Sequence, residues 1–217
     1  MKRISMRATA AAALLLLTTL LPPGGVSASE ADQSVCRQET QSAIPACTKI
    51  IGDKAETPKT RAWALMMLGN IRDDTGDHDG AISDYGEALA LDKTNPFIFF
   101  NRGLAQHEKG EHMLAISDFT EALRLDPTYA AAFVSRGVEW HEKSDYLQAF
   151  SDFGEALRID PKNVDALYNR GLVWHDQGDN DRAIGDFSSA IEIDSSAGDA
   201  FRMRGICKSA KGDLKGA

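Results

Sequence analysis

Five glycines, Gly69, Gly103, Gly137, Gly171 and Gly205, stand 34 residues apart, and each opens the same succession of small and aromatic side chains. A fixed period of that length restricts a chain to a stack of supersecondary units, each burying its apolar face on the next. Twelve residues after each glycine comes an alanine: Ala81, Ala115, Ala149, Ala183 and Ala217. Four further on stands an aromatic, as Tyr85, Phe119, Phe153 and Phe187, followed three later by Ala88, Ala122, Ala156 and Ala190. Leu91, Leu125, Ile159 and Ile193 then lead into Asp92, Asp126, Asp160 and Asp194. Each unit is predicted to be a pair of antiparallel helices. The glycine of the first helix and the alanines of the second leave room for close approach, and the aromatic fills the space beside them.

The segments AISDYGEALALD, AISDFTEALRLDP, AFSDFGEALRIDP and AIGDFSSAIEID resemble the tetratricopeptide repeat (TPR) family. That family pairs a small residue on the first helix with Ala-x-x-x-Phe on the second and often closes with proline. The resemblance covers about Ala62 to Ala217 and implies an all-α fold, a right-handed superhelical solenoid of helix-turn-helix repeats. The family's Leu-Gly survives only as Leu68-Gly69; later units read Arg-Gly. The repeats are set at 62–95, 96–129, 130–163 and 164–197, with a partial fifth at 198–217.

Residues 1–28 carry a basic head (Lys2, Arg3, Arg7), an uncharged Ala- and Leu-rich run from Ala8 to Leu21, and small residues at Val26-Ser27-Ala28. This is the pattern of a cleaved export signal, too short for a membrane span. A soluble protein of the periplasm, or a secreted one, is expected, with an uncleaved anchor as the alternative. Of 24 Lys and Arg, the three in the basic head leave with the signal, so 21 face 32 Asp and Glu. So acidic a chain is a poor ligand for nucleic acid or an anionic membrane, since phosphate binding needs clustered cations.

Residues 29–61 fall outside the register and hold Cys36 and Cys47. The piece AIPACTKII reads as a second-type helix with Cys47 at the aromatic's place, Ser42 as its cap and Pro45 in its first turn. On one continuous helix the two cysteines would lie ~16 Å apart, beyond disulfide reach. A turn near Glu39 to Ser42 would bring them face to face, and an oxidising compartment favours pairing. A Cys36–Cys47 disulfide is expected, two free thiols being the alternative. Similar cysteine-bearing half-repeats precede the array in exported TPR proteins. Gly52 to Lys59 reads as a linker.

Inside the array, Thr75-Gly76 is expected to end the first helix of the first unit, and Asn95-Pro96 to cap and start the next. Ser144 replaces the turn glycine found at Gly110 and Gly178. The fifth unit stops as its second helix should begin; a fragment of a longer array is expected, or an apolar end covered by another copy. Cys207 is expected to be a buried small apolar residue, with an intermolecular disulfide as the alternative.

No phosphate loop, nucleophile elbow or HExxH motif is present in the sequence, so neither catalysis nor a cofactor is expected. The one metal candidate is the column His107, His141 and His175, each followed by an acid; a solvated polar ladder is the alternative. Arg102, Arg136, Arg170 and Arg204 precede the glycines, while Asp84, Asp118, Asp152 and Asp186 precede the aromatics. Constant offset suggests fold-holding ion pairs.

The TPR resemblance implies a concave groove of first helices that holds a segment of another protein. Residue by residue, it falls on Asn70, Phe97, Phe100, Asn101, Leu104, Val134, Val138, Tyr168, Asn169 and Leu172. The lysines that clamp a partner's terminal carboxylate in chaperone-binding relatives are missing from the matching positions. A non-catalytic adaptor is therefore expected. The alternatives are a self-assembling protein, acting through the uncapped C-terminal repeat as a homo-oligomer, and a metal-binding module on the histidine column.

Overall fold

A computed structural model describes residues 28–213. The expected export signal lies outside them except for Ala28, as does Ala217. Among the described residues every regular element is helical, and none is long and apolar enough to cross a membrane. The helices fall into two compact units, one ending at Thr94 and the other beginning at Asn95.

The first unit holds α1 (Ala28–Cys36), a single 3-10 turn (Gln41–Ala43), α2 (Ile44–Gly52), α3 (Pro58–Asp74) and α4 (His78–Leu91). The chain reverses after α1 through Glu39, whose φ is 49°. That reversal brings Cys36 and Cys47 to a Cα separation of 4.9 Å, where they form a disulfide, both fully buried. Closing so short a loop stabilises the unit by roughly 3 kcal/mol, chiefly by restricting the unfolded chain. Pro45 does sit in the first turn of α2, but Ser42 does not cap it: the helix begins after Ala43 without a side-chain cap, and the Ser42 hydroxyl bonds Thr40 instead. The expected linker is also shorter. Thr57 accepts from the Thr60 N–H and Pro58 is already helical, because proline's fixed φ suits a first turn.

The second unit contains α5 (Pro96–Glu108), α6 (His112–Leu125), α7 (Ala130–Glu142), α8 (Tyr146–Ile159), α9 (Val164–Asp176), α10 (Asn180–Ile193) and α11 (Gly198–Ala210). Successive helices pack as pairs, α5 on α6, α7 on α8 and α9 on α10, and each pair joins the next through its second helix. Asn95 accepts from the Phe97 N–H at 3.0 Å, capping α5.

The periodic columns explain the packing. Phe119, Phe153 and Phe187 are fully buried, as are the alanines on either side of them, and Tyr85 holds the same place in the first unit. A Cβ at Gly103, Gly137 or Gly171 would stand 2.7–2.8 Å from the ring of the paired phenylalanine. The ring therefore rests on the glycine backbone itself. Tyr85 needs one thing more than phenylalanine, a partner for its hydroxyl, and donates to Asn70 Oδ1 at 2.8 Å. The aspartate column closes each second helix. Asp92, Asp126, Asp160 and Asp194 each accept from the backbone N–H two residues on, and Thr94, Thr128 and Ser196 add their hydroxyls.

Ser144 has φ 60° where Gly76, Gly110, Gly178 and Gly212 lie at 75–85°. A side chain in this left-handed region costs about 1 kcal/mol. Ser144→Gly is expected to raise unfolding stability by about that much, read from a urea midpoint with unchanged slope. No change, or a loss, would mean that the serine is compensated locally.

The arginine–aspartate ladder forms within repeats at Arg102, Arg136 and Arg170, whereas Arg204 reaches Ser188 Oγ at 3.4 Å. Arg102 grips Asp118 with Nε and Nη2 at 2.7 Å each, Arg136 grips Asp152 at 2.8 and 2.7 Å, and Arg170 grips Asp186 likewise. The first repeat has Leu68 at the arginine's place. Arg72, one helical turn later, substitutes with a single bond from Nη1 to Asp84 Oδ1 at 2.7 Å, and Asp84 Oδ2 is buried without a hydrogen bond. Burial pushes the Asp84 carboxyl up to about 6, only partly opposed by Arg72.

The folded chain thus protonates Asp84 near pH 6, whereas the unfolded chain does so near 3.8. The stability linked to that proton is complete below the lower value and is lost as pH rises through the upper one. Lowering pH from 7 to 5 should favour the wild type by about 1 kcal/mol relative to Asp84→Asn, which has no such proton. Urea titrations of both proteins at the two pH values give the comparison. An identical gap at both would refute it.

Candidate interaction groove and helix-end junctions

In the second unit the first helices adjoin in order, α5 on α7, α7 on α9 and α9 on α11. Phe97, Asn101 and Leu104 share one face of α5 by their i, i+4, i+7 spacing, and Tyr168 and Leu172 share one face of α9. Phe97 is 42% exposed, with its ring edge on Tyr129 at 5.4 Å. Asn101, Leu104, Tyr168, Asn169 and Leu172 are half-buried. Tyr168 lays its ring against Phe187 at 5.7 Å, and burial, aided by Asp199, holds its hydroxyl above the usual phenol range. Ile206 continues the Leu104, Val138, Leu172 column onto α11 and is exposed.

Three residues expected to face a partner do not. Phe100, Val134 and Val138 are buried. Phe100 lies between Phe119 at 5.6 Å and Tyr129 at 4.8 Å, so the residue just before α7 roofs it over. Two asparagines are committed to intramolecular bonds. Asn169 Nδ2 donates to the Asp165 carbonyl at 2.8 Å. In the first unit, Asn70 donates to Glu39 Oε1 at 3.0 Å while accepting from Tyr85. Tyr129 and Ile206 were not singled out from the sequence. Ile206 was legible as the next member of an apolar column, whereas Tyr129 occupies a position that is asparagine in two other repeats, Asn95 and Asn163.

The histidine column does not gather into one site. Instead, each histidine meets residues where a first helix ends and the next second helix begins. His107, in the last turn of α5, places Nδ1 2.5 Å from Glu139 Oε1, and His112, the first residue of α6, places Nδ1 2.7 Å from Glu139 Oε2. Glu139 comes from α7 and is 1% exposed. His141 Nε2 instead pairs with Asp176 Oδ2 at 2.7 Å. His175 Nδ1 lies 3.1 Å from Asn180 Oδ1 and 3.5 Å from Cys207 Sγ. In the first unit Asp73 and His78 meet at the equivalent place, 2.6 Å apart.

Cysteine, histidine and asparagine together invite comparison with a nucleophile–base relay, but the geometry does not provide one. Both partners approach the same imidazole nitrogen, so no second nitrogen is oriented by the asparagine. The Cys207 thiol is fully buried, and burial pushes it above the ordinary thiol range, away from the thiolate that would react. Cys207 therefore belongs to the core around Phe187 and Met203, as its sequence context suggested.

Sequence profiles of the TPR repeat match residues 69–110 and 139–178, and one of the tetratricopeptide repeat matches 98–129. No curated protein matches the sequence. Among solved structures, MamA protein is 26% identical, with a TM-score of 0.65 over 71% of this chain and 84% of that one. YrrB, described as a TPR protein with an unusual peptide-binding site, is 21% identical, with a TM-score of 0.65 over 80% and 87%. The first TPR of Spaghetti, solved bound to an HSP90 peptide, is 24% identical, with a TM-score of 0.55 over 56% and 97%. At such identities the last two likenesses speak to fold alone. They agree with the profiles, the all-helical architecture and the glycine–aromatic packing, and the chain is a tetratricopeptide repeat protein.

Proposed function

We propose that this chain is a protein-interaction scaffold whose first helices in the second unit receive a segment of a partner protein. The observation that carries this is the set of incompletely covered apolar side chains on first helices, Phe97 and Leu104 on α5, Leu172 on α9 and Ile206 on α11, with α7, between α5 and α9, presenting the buried Val134 and Val138. Aromatic and aliphatic anchors of this kind, half-sunk in a rigid helical wall, suit the side chains of an extended or helical peptide. YrrB and Spaghetti, which share the fold, are described with peptide sites. The face here carries Phe97, Asn101, Leu104 and Tyr168 rather than lysines, so a terminal carboxylate clamp is not what it offers. An apolar segment, held by side-chain anchors, is the class of ligand it fits.

Export to a periplasm or beyond accompanies this proposal and rests on the sequence of residues 1–28 together with the Cys36–Cys47 disulfide, a bond that oxidising compartments preserve.

The test is selection of peptides from a random library on the chain lacking residues 1–28, followed by fluorescence titration against Phe97→Glu, Leu172→Glu. Both positions have accessible side chains, so the double variant should keep its helical circular dichroism. Support is a selected peptide whose affinity falls at least ~10-fold in the variant, the loss expected when central apolar anchors become charged. Enrichment of no peptide, or equal binding by both proteins, would remove the groove as the binding surface.

A further inference from the structure

Glu139 is the anomaly of the second unit. Its column in the repeat is otherwise apolar and fully buried, as Ala105, Val173 and Cys207, yet here a carboxylate is 1% exposed. A buried carboxylate is costly unless positive charge compensates it. The groups set against its two oxygens are the imidazoles of His107 and His112, 2.5 and 2.7 Å away. If both imidazoles are neutral, hydrogen bonding alone must hold the charge.

We propose that His107, His112 and Glu139 are the protein ligands of a divalent transition-metal site of the zinc class. Two imidazole nitrogens and a carboxylate are a donor set zinc uses where it keeps an open position. Their ligating atoms already lie within 4.8 Å of one another. Ligands on one tetrahedral ion with bonds of 2.0–2.1 Å stand about 3.3 Å apart. The imidazoles now contact different oxygens of Glu139, so admitting the ion requires the 2.5 and 2.7 Å contacts to open and both nitrogens to regroup around one carboxylate oxygen. His112, 39% exposed, sits at the surface and can yield. That accessible side leaves room for water as the remaining ligand.

The other junctions of the second unit carry fewer suitable donors. His141 has Tyr146 as its ring neighbour, and the buried column position there is Val173. His175 faces Asn180 and the raised-pKa thiol of Cys207. Among the described residues, only the trio at the α5–α6 turn groups three strong ligands. Because Glu139 belongs to the following repeat, an ion there ties α5 and α6 to α7. It acts as a clamp between consecutive repeats, independent of what the groove binds.

The experiment uses the untagged chain lacking residues 1–28, stripped with chelator and dialysed. Zinc is titrated by calorimetry and cobalt by absorption, in the wild type, His112→Ala, Glu139→Gln and the control His141→Ala. One equivalent is expected to bind with a Kd of about 1 µM or tighter. Cobalt should give the d–d bands of a four- or five-coordinate nitrogen–oxygen site, and zinc should raise the melting temperature. His112→Ala, at a half-exposed position, should fold and lose at least ~100-fold in affinity, since losing even an outer-shell partner costs 10–100-fold. His141→Ala should bind normally. Should Glu139→Gln fail to fold, His112→Ala against His141→Ala still decides the matter. No one-equivalent binding by the wild type, or equal binding by those two variants, would overturn the site and leave the trio as a hydrogen-bonded brace.

Discussion

Phe153→Ala is expected to cost about 4 kcal/mol of unfolding free energy, the upper part of the range for large-to-small core changes. Phe153 is fully buried, and its ring rests against the backbone at Gly137, where even a methyl group would come within 2.8 Å. Deleting it removes the central contact of α7 on α8, and a repeat stack has no larger core nearby to collapse into the void. Urea unfolding followed by circular dichroism measures the loss, and amide exchange should place it in α7 and α8. A shift below about 1 kcal/mol would show that neighbouring repeats, not the ring, hold this pair together. Gly137→Ala sharpens the test. Alone it overpacks the site and should cost about 1–3 kcal/mol. Added to Phe153→Ala it should cost much less, because its methyl enters space the ring has vacated.

Arg136→Ala should lower stability by about 3 kcal/mol, the range for leaving one member of a buried ion pair without its partner. Its guanidinium holds both Asp152 oxygens, at 2.8 and 2.7 Å, donates to Thr120 Oγ1 at 3.0 Å, and lies over the Phe133 ring at 5.7 Å. One side chain thereby joins α6, α7 and α8 across two repeats. Burial raises the Asp152 carboxyl and Arg136 works against that. Without the arginine the carboxyl rises further, so the variant's deficit should shrink as the solution is acidified and Asp152 takes up a proton. Arg136→Met combined with Asp152→Leu should recover most of the loss, since neither charge is then buried alone. A melting temperature unchanged in Arg136→Ala would end the idea that the ladder holds the fold.

Much of this was readable in the residues because a repeat records its own contacts. The spacing from Gly137 to Phe153 recurs as Gly103 to Phe119 and Gly171 to Phe187, and a recurrent pair of small and large residues declares that they touch. Arg102, Arg136 and Arg170 each find the aspartate at their own constant offset for the same reason. The hairpin at Glu39 followed from bond geometry, as one helix could not close the Cys36–Cys47 bond.

Other features became visible only when the chain was folded. Leu68 breaks the arginine column, and nothing in a column announces that Arg72 will reach Asp84 from one turn later with a single bond. Phe100, Val134 and Val138 look like groove positions because the family register places them there. Phe100's burial depends on Tyr129, a residue peculiar to its own repeat.

The histidine column suggested an ion shared between equivalent positions of neighbouring repeats. The structure joins His107 instead to His112 and to Glu139, an acid that breaks its own apolar column. Sequence alone determined the unit, its period and its internal core, because the contacts of a repeat are local and recur. Tertiary structure alone decided which side chains stay uncovered and which polar groups meet at the junctions. Those outcomes depend on the non-repeating residues that one unit presents to the next.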